Sequence, residues 1–211
     1  MKMIWPGWYF LVVHVVSFWF SVLRILSIPR VPASLSVKKM LPLVLFNQLI
    51  ITPITIWLLL QGNQKVLIVE NSLYDLGLMF LRYPLMLLIL NFSFAGAHYL
   101  FHRIRFLYRH VHAIHHRLKI PHPIGAIYAH PIEQVLANLL PVGLAIYLTG
   151  AGWYLSLLFI IHTSYETVNG HTRYCDPQMS SRHNLHHLIL TCNYDNSPYL
   201  FDKLIGTYRQ N

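Results

Sequence analysis

Residues 135–161 read VLANLLPVGLAIYLTGAGWYLSLLFII, an apolar run broken only at Thr149–Gly152. The path of this stretch decides the fold, because histidines crowd both of its ends. They run up to His130 on one side and resume at His162 or His171 on the other. A single crossing of a bilayer would put the two groups on opposite faces. A bent pair of half-spans returns the chain to its starting face, and the TGAG tetrapeptide is the expected turn. The halves hold about 14 and 10 apolar residues, too few for upright spans. If the histidines form one site, the hairpin is required.

Upstream, three further spans are predicted: Trp8–Leu26, Met40–Gln61 (with Pro42 and Pro53) and Tyr83–Phe101. Composition agrees, with 55% hydrophobic and only 11% charged residues in 211. A soluble chain this short could not bury so much apolar surface. The net charge of +9 reads as basic residues flanking spans and not as a nucleic-acid surface, since no basic stripe interleaves with aromatics. Arg24, Arg30, Lys38 and Lys39 follow the first span, and Arg103, Arg105, Arg109, Arg117 and Lys119 follow the third. Lys65 and Arg82 lie on the opposite loop beside Glu70 and Asp75. The positive-inside rule then places the histidines on the cytosolic side. The first span has no small-residue cleavage site before Arg24 and reads as a retained anchor. Cys175 and Cys192 make no metal or disulfide spacing.

Thirteen of the fourteen histidines fall between His98 and His187. Three clusters have helical spacing: HYLFH with His98 and His102, HAIHH with His112, His115 and His116, and HNLHH with His183, His186 and His187. Residues three and four apart share a helix face, so each cluster is expected to aim its imidazoles at a common point. Neutral imidazole is the commonest side-chain metal ligand. Eight such histidines are about twice what one four-coordinate ion takes, which points to two transition-metal ions. HYLFH lacks the glutamate of a metalloprotease, and no Glu-x-x-His pair occurs among only seven acidic residues. The ligand set must be nearly all imidazole. Glu133, Glu166, Asp176, Asp195 and Asp202 are candidates to accept the outer imidazole N–H. His130 and His171 could each complete a coordination sphere, His162 less well. His110 sits about 200° around a helix from His112, His122 precedes a proline, and His14 reads as a packed or interfacial residue.

HYLFH, HAIHH, YAHPIE, NGHTRY and HNLHH, followed by CNYD and FDKLIGTYR, resemble in content and order the fatty acid hydroxylase or sterol desaturase superfamily of membrane di-iron enzymes. The resemblance covers about Ala97 to Arg209, and YAHPIE looks most like the sterol C4-methyl oxidases. It implies two iron ions (with zinc a substitute in purified protein) that use O₂ to hydroxylate or desaturate a sterol or fatty acyl C–H bond. Electrons would come from NAD(P)H through a cytochrome b-type carrier and its reductase. The metal ligands implied are His98, His102, His112, His115, His116, His171, His183, His186 and His187. His130, Glu133, Asn184 and Asp202 are the candidates for a further ligand or a support of one. Two positions depart from the pattern. Asn184 stands where the last cluster usually has Asp, removing a carboxylate. Arg173 stands where Gly is usual after His171, and would be strained if that residue has positive φ.

The expected architecture is all-α: a membrane bundle of about four spans, the last a bent hairpin, with a cytosolic histidine-rich cap holding two metals. Residues 1–96 supply N-terminal spans, and 97–211 a catalytic region that includes the hairpin at about 135–161. A eukaryotic source would place it in the endoplasmic reticulum membrane, in lipid or sterol metabolism. A catalytically inactive metal-binding relative is the alternative. A metal transporter is disfavoured, because only His14 lies mid-span.

Overall fold

The computed structural model describes residues 7–62, 73–175, 178 and 180–210; Lys65, Glu70 and Asp176 lie outside them, as does the side chain of Asp75. The described residues are helical, with no strand beyond an isolated bridge between Arg30 and Tyr174. Helix α1 (Gly7–Leu26) runs toward the histidine end. Helices α2 (Val37–Phe46) and α3 (Thr52–Gly62) run away from it, and α4 (Leu73–Arg103) returns. Short pieces follow: α5 (Arg105–His110) and two 3₁₀ turns at His112–Arg117 and Pro123–Ile127. The chain then descends through α6 (Pro131–Glu133) and α7 (Leu140–Thr149) and climbs back through α8 (Trp153–Gly170). Helices α9 (His183–Ile189) and α10 (Leu200–Ile205) close the cap.

Among the described residues, four helices are long and apolar enough to cross a membrane: Gly7–Leu26, Val37–Gln61, Gly77–Arg103 and Pro131–Thr149. Their outward faces carry large apolar side chains such as Phe20, Leu23 and Phe80, the last 83% exposed, as a bundle facing lipid requires. The hairpin is present. Gly150 closes α7 at φ +60°, a conformation open to glycine, while the Ala151 N–H donates to the Ile146 carbonyl at 3.2 Å. The legs are longer than the apolar tally implied. They run 19 residues from Pro131 and 18 from Trp153, because the helices continue through the polar residues at both outer ends.

Two π-turns interrupt the spans, at Asn47–Ile51 and Gln134–Leu139, and each lies just before a proline, Pro53 or Pro141. Proline has no N–H and its ring clashes with the carbonyl four residues back, so the helix widens by one residue upstream. The widened turns pack on each other. From the first, the Asn47 amide donates to the carbonyls of Ile127 (3.0 Å) and Ala129 (2.8 Å), fixing the loop beneath the histidines.

One apolar core, including Phe18, Val22, Ile25, Met40, Leu118, Ile127 and Val168, lies directly under the cap. A second, around Phe10, Met86, Ile146, Leu155 and Phe159, holds the far half of the bundle. Backbone hydrogen bonds from Val31 to Arg173 (2.9 Å) and from Cys175 to Pro29 (3.1 Å) tie the ends of α1 and α8 together. Arg173 is not among the residues with positive φ, so the strain expected there does not arise.

Candidate metal centre

The nine histidines converge into two adjacent groups. In the first, His98, His102, His112, His116 and His186 bring one ring nitrogen each within 4.8 Å of one another; in the second, His115, His171, His183 and His187 do the same. The groups abut, with the His116 and His187 ring centres 4.9 Å apart. All nine side chains are buried except His102, which is half-buried.

The helical clusters do not each aim at one point, as the spacing suggested. HAIHH sends His112 and His116 to the first group and His115 to the second. HNLHH does the converse, with His183 and His187 in the second and His186 in the first. Positions i and i+4 thus pair while i+3 crosses over. HAIHH is moreover a 3₁₀ turn and not an α-helix. His98 and His102 at the end of α4 complete the first group, and His171 at the end of α8 completes the second.

Hydrogen bonds at the outer ring nitrogens decide which nitrogen faces inward. The Nδ1–H of His98 donates to the Tyr194 carbonyl (2.6 Å), His186 to Cys192 (2.7 Å), His171 to Thr167 (2.8 Å) and His115 to Tyr128 (3.1 Å). A carbonyl can only accept, so each ring keeps its proton on Nδ1 and presents a bare Nε2. His115 Nε2 and His171 Nε2 then face each other as lone pairs at 3.1 Å. In the first group, the Nε2 atoms of His102, His112 and His116 are 2.8, 2.9 and 3.1 Å apart. An imidazole nitrogen cannot donate and accept at once, so at most two of these three contacts can be hydrogen bonds. Among the described residues, His98 Nε2 and both nitrogens of His187 have no hydrogen-bond partner.

A cation removes all of these conflicts together. Ligands about 2.1 Å from one ion, at angles between square and tetrahedral, lie about 3.0–3.4 Å apart, close to what is seen. The residues present therefore fit two small metal ions. Burial also pushes His112 and His115 down to about 3 and His171 to about 4. Burial likewise holds His116, His183, His186 and His187 well below the ordinary histidine range, so the rings remain neutral donors.

The supporting residues are mostly backbone carbonyls, and the sequence could not announce them. What could be read is the polar motif that fixes them. Asp202 accepts the N–H groups of Tyr194 (2.9 Å) and Asp195 (2.7 Å), locking the loop whose carbonyls hold His98 and His186. Asn193 donates to the carbonyls of Arg182 and Arg209 and accepts from the Arg209 N–H, joining the CNYD and FDKLIGTYR segments around α9.

A model of the fatty acid hydroxylase family matches residues 83–207. The chain belongs to the fatty acid hydroxylase family. Sphinganine C4-monooxygenase 1 of Arabidopsis thaliana is 31% identical over 123 residues, 53% of this chain and 47% of that protein. The very-long-chain aldehyde decarbonylase GL1-9 of Oryza sativa subsp. indica is 30% identical over 123 residues, 53% of this chain and 48% of its own. The fatty acid hydroxylase ahd1 of Mycosarcoma maydis is 27% identical over 177 residues, 79% and 44% of the two chains. The chain spans about half the length of the curated relatives it matches. No solved structure matches it.

In this fatty acid hydroxylase fold the remaining candidates take other places. Glu133 is buried with Oε1 2.9 Å from His112 Nδ1, a close contact outside hydrogen-bond geometry. Its partner in YAHPIE, His130, caps α6 by accepting the Ile132 N–H and joins neither group. Asp202 and Asp195 brace the loop, and Glu166 lies on α8 outside both groups. The Asn184 amide nitrogen donates to the carbonyls of Thr172 (2.9 Å) and Ser181 (3.1 Å), while its oxygen is buried without a hydrogen-bond partner among the described residues. His122 caps the Pro123–Ile127 turn, and His110 is exposed. His162 packs edge-on to Tyr83.

Proposed function

We propose that the protein is an O₂-dependent, non-haem di-iron oxygenase of a lipid C–H bond, with the nine histidines as its ligands. The observation that carries this reading is the pair of facing imidazole groups, whose bare nitrogens make electrostatic sense only around cations. Two iron ions held there would supply the binding and reductive activation of O₂. In a hydroxylation, one oxygen atom enters the C–H bond and the other leaves as water. Two electrons and two protons complete that balance, and the family resemblance traces them to NAD(P)H through a cytochrome b-type carrier and reductase. Desaturation draws on the same inputs.

The chain's own residues do the rest. Carbonyls at 128, 167, 192 and 194 hold four rings in one tautomer, and Glu133 lies against a fifth. The fully imidazole donor set adds no negative charge, which favours the reduced ions at rest. Burial of the cap keeps water from the reacting carbon. A cavity of about 410 Å³ lies in the bundle, and its wall includes Thr167, whose carbonyl holds His171, and Ile127, next to the Tyr128 carbonyl that holds His115. That volume suits a lipid tail or a comparable ligand.

A long-chain sphingoid or fatty acyl lipid is the substrate class we favour, since the curated relatives carry such names, with sterols the other class to assay. The basic residues Arg24, Arg30, Lys38, Lys39 and Arg103–Lys119 gather at the histidine end. The positive-inside rule makes that end cytosolic, and in a eukaryote the membrane would be the endoplasmic reticulum. Residues 97–211 would form the catalytic region, with 1–96 as the spans that seat it. The test is to purify the protein, count iron and zinc, and assay oxidised sphingoid, acyl and sterol products with a reductase system. A metal-free protein inactive with every lipid and donor would defeat the reading.

A further inference from the structure

His14, read from the sequence as a packed or interfacial residue, lines the cavity instead. Its Nδ1 is 3.4 Å from the Ser164 hydroxyl on α8, and its Nε2 has no hydrogen-bond partner among the described residues. Across the cavity, on the widened turn before Pro141, Gln134 and Asn138 also line the wall, joined by a 2.9 Å amide hydrogen bond. Thr163 and Thr167 add hydroxyl-bearing wall. Polar side chains within an apolar bundle are expensive and tend to mark a ligand.

Their placement along the helices is one-sided. Gln134 and Asn138 fall within eight residues of the start of α6 at Pro131, and Thr163, Ser164 and Thr167 within the last eight of α8. At 1.5 Å per residue this polar band ends about 10 Å below the cap. Deeper, the wall is apolar, built from residues such as Phe10, Ile56, Leu59, Val142, Leu144 and Ile146. The amide and hydroxyl groups of the wall thus gather in its cap-side half, beside Phe18 and Ile127, and the far half is apolar apart from Tyr147.

We propose that the His14–Ser164 pair and the Gln134–Asn138 pair form a recognition site for the polar end of a single-chain lipid bearing hydroxyl, amino or amide groups. Its hydrocarbon tail points away from the metals. The inference rests on the oxygenase reading and deepens it, because a lipid held this way presents carbons near its head group, and not its methyl end, to the histidine groups. His14 and Ser164 are specificity-determining residues in this arrangement and touch no metal ligand.

The experiment is equilibrium binding to the iron-loaded full chain in lipid nanodiscs, without turnover. The probes are a long-chain amino-diol and the unfunctionalised alkane of the same length. Ser164→Ala, His14→Phe and Gln134→Leu should each weaken the amino-diol about 5- to 10-fold, one hydrogen bond's worth, and leave the alkane within twofold. Gly143→Leu tests the tail end, because a Cβ at Gly143 already meets Leu59 Cδ1 at 2.7 Å and a larger side chain fills the apolar half. It should weaken both probes alike. Thermal stability and iron content identify any variant that fails to fold, and Ser164→Ala, the smallest change, keeps the test usable. Unchanged amino-diol affinity in folded Ser164→Ala, His14→Phe and Gln134→Leu proteins, or equal losses for both probes in those three, would overturn the proposal. Selective binding without oxidation of any lipid would instead sink the oxygenase reading while leaving this site standing.

Discussion

Substituting Asn184 by Asp makes the chain match the family pattern more closely, and the structure says that it should do harm. Asn184 is 5% exposed, and its amide nitrogen points at the carbonyl oxygens of Thr172 (2.9 Å), Ser181 (3.1 Å) and Gly170 (3.4 Å). A carboxylate there would set oxygen against oxygen. Two well-formed hydrogen bonds are lost at about 1 kcal/mol each, and a buried acceptor left facing a lone pair adds about 1–3 kcal/mol. The expected penalty is about 3–5 kcal/mol, or roughly 6–20 °C in melting temperature for a chain of this size. Because those carbonyls flank His171 and begin α9, the second histidine group should loosen first, with bound metal per chain falling below that of the unaltered protein. Thermal unfolding and metal analysis of purified Asn184→Asp, with Asn184→Ala as the uncharged control, decide the matter. The alanine variant should cost about 2 kcal/mol and lose less iron than the aspartate variant. An Asn184→Asp protein that is more stable, or holds more iron, would mean that this side chain serves the imidazoles and that the carbonyl assignment is mistaken.

Glu133→Gln should lower metal affinity about 10- to 100-fold by removing the carboxylate charge beside the His112 ring, read by competition with a chelator of known affinity; an unchanged value refutes the supporting role. The group assignment predicts selective losses, so His187→Ala should empty mainly the second site and His112→Ala mainly the first. Two magnetically distinct single-ion remnants would bear this out, and identical remnants would not. Stripping metal with a chelator should lower the melting temperature, since ligand at 100 times its dissociation constant stabilises by about 2.7 kcal/mol. An unshifted transition would show that the imidazoles pack stably without ions.

Much of this was legible in the chain because two of its constraints are one-dimensional. Apolar run length sets the number of spans, and histidines on both sides of residues 135–161 force a hairpin if they are to share a site. The leg lengths were not legible, since helices α6–α7 and α8 continue through polar residues that an apolar count discards. Nor was the fate of His14: a lone histidine in an apolar span reads as packing until the neighbouring helices show that it borders a cavity.

The sequence alone determined which residue types could bind metal, that nearly all would be imidazole, and that a hairpin was needed for them to share one site. Only the tertiary structure decided how they divide. HAIHH and HNLHH each split two-and-one between the groups, because the rings that cross over, His115 and His186, are held by the carbonyls of Tyr128 and Cys192, which lie outside their own clusters. Every residue carries the same carbonyl, so no letter in the sequence marks the ones that matter; their positions exist only once the chain has packed.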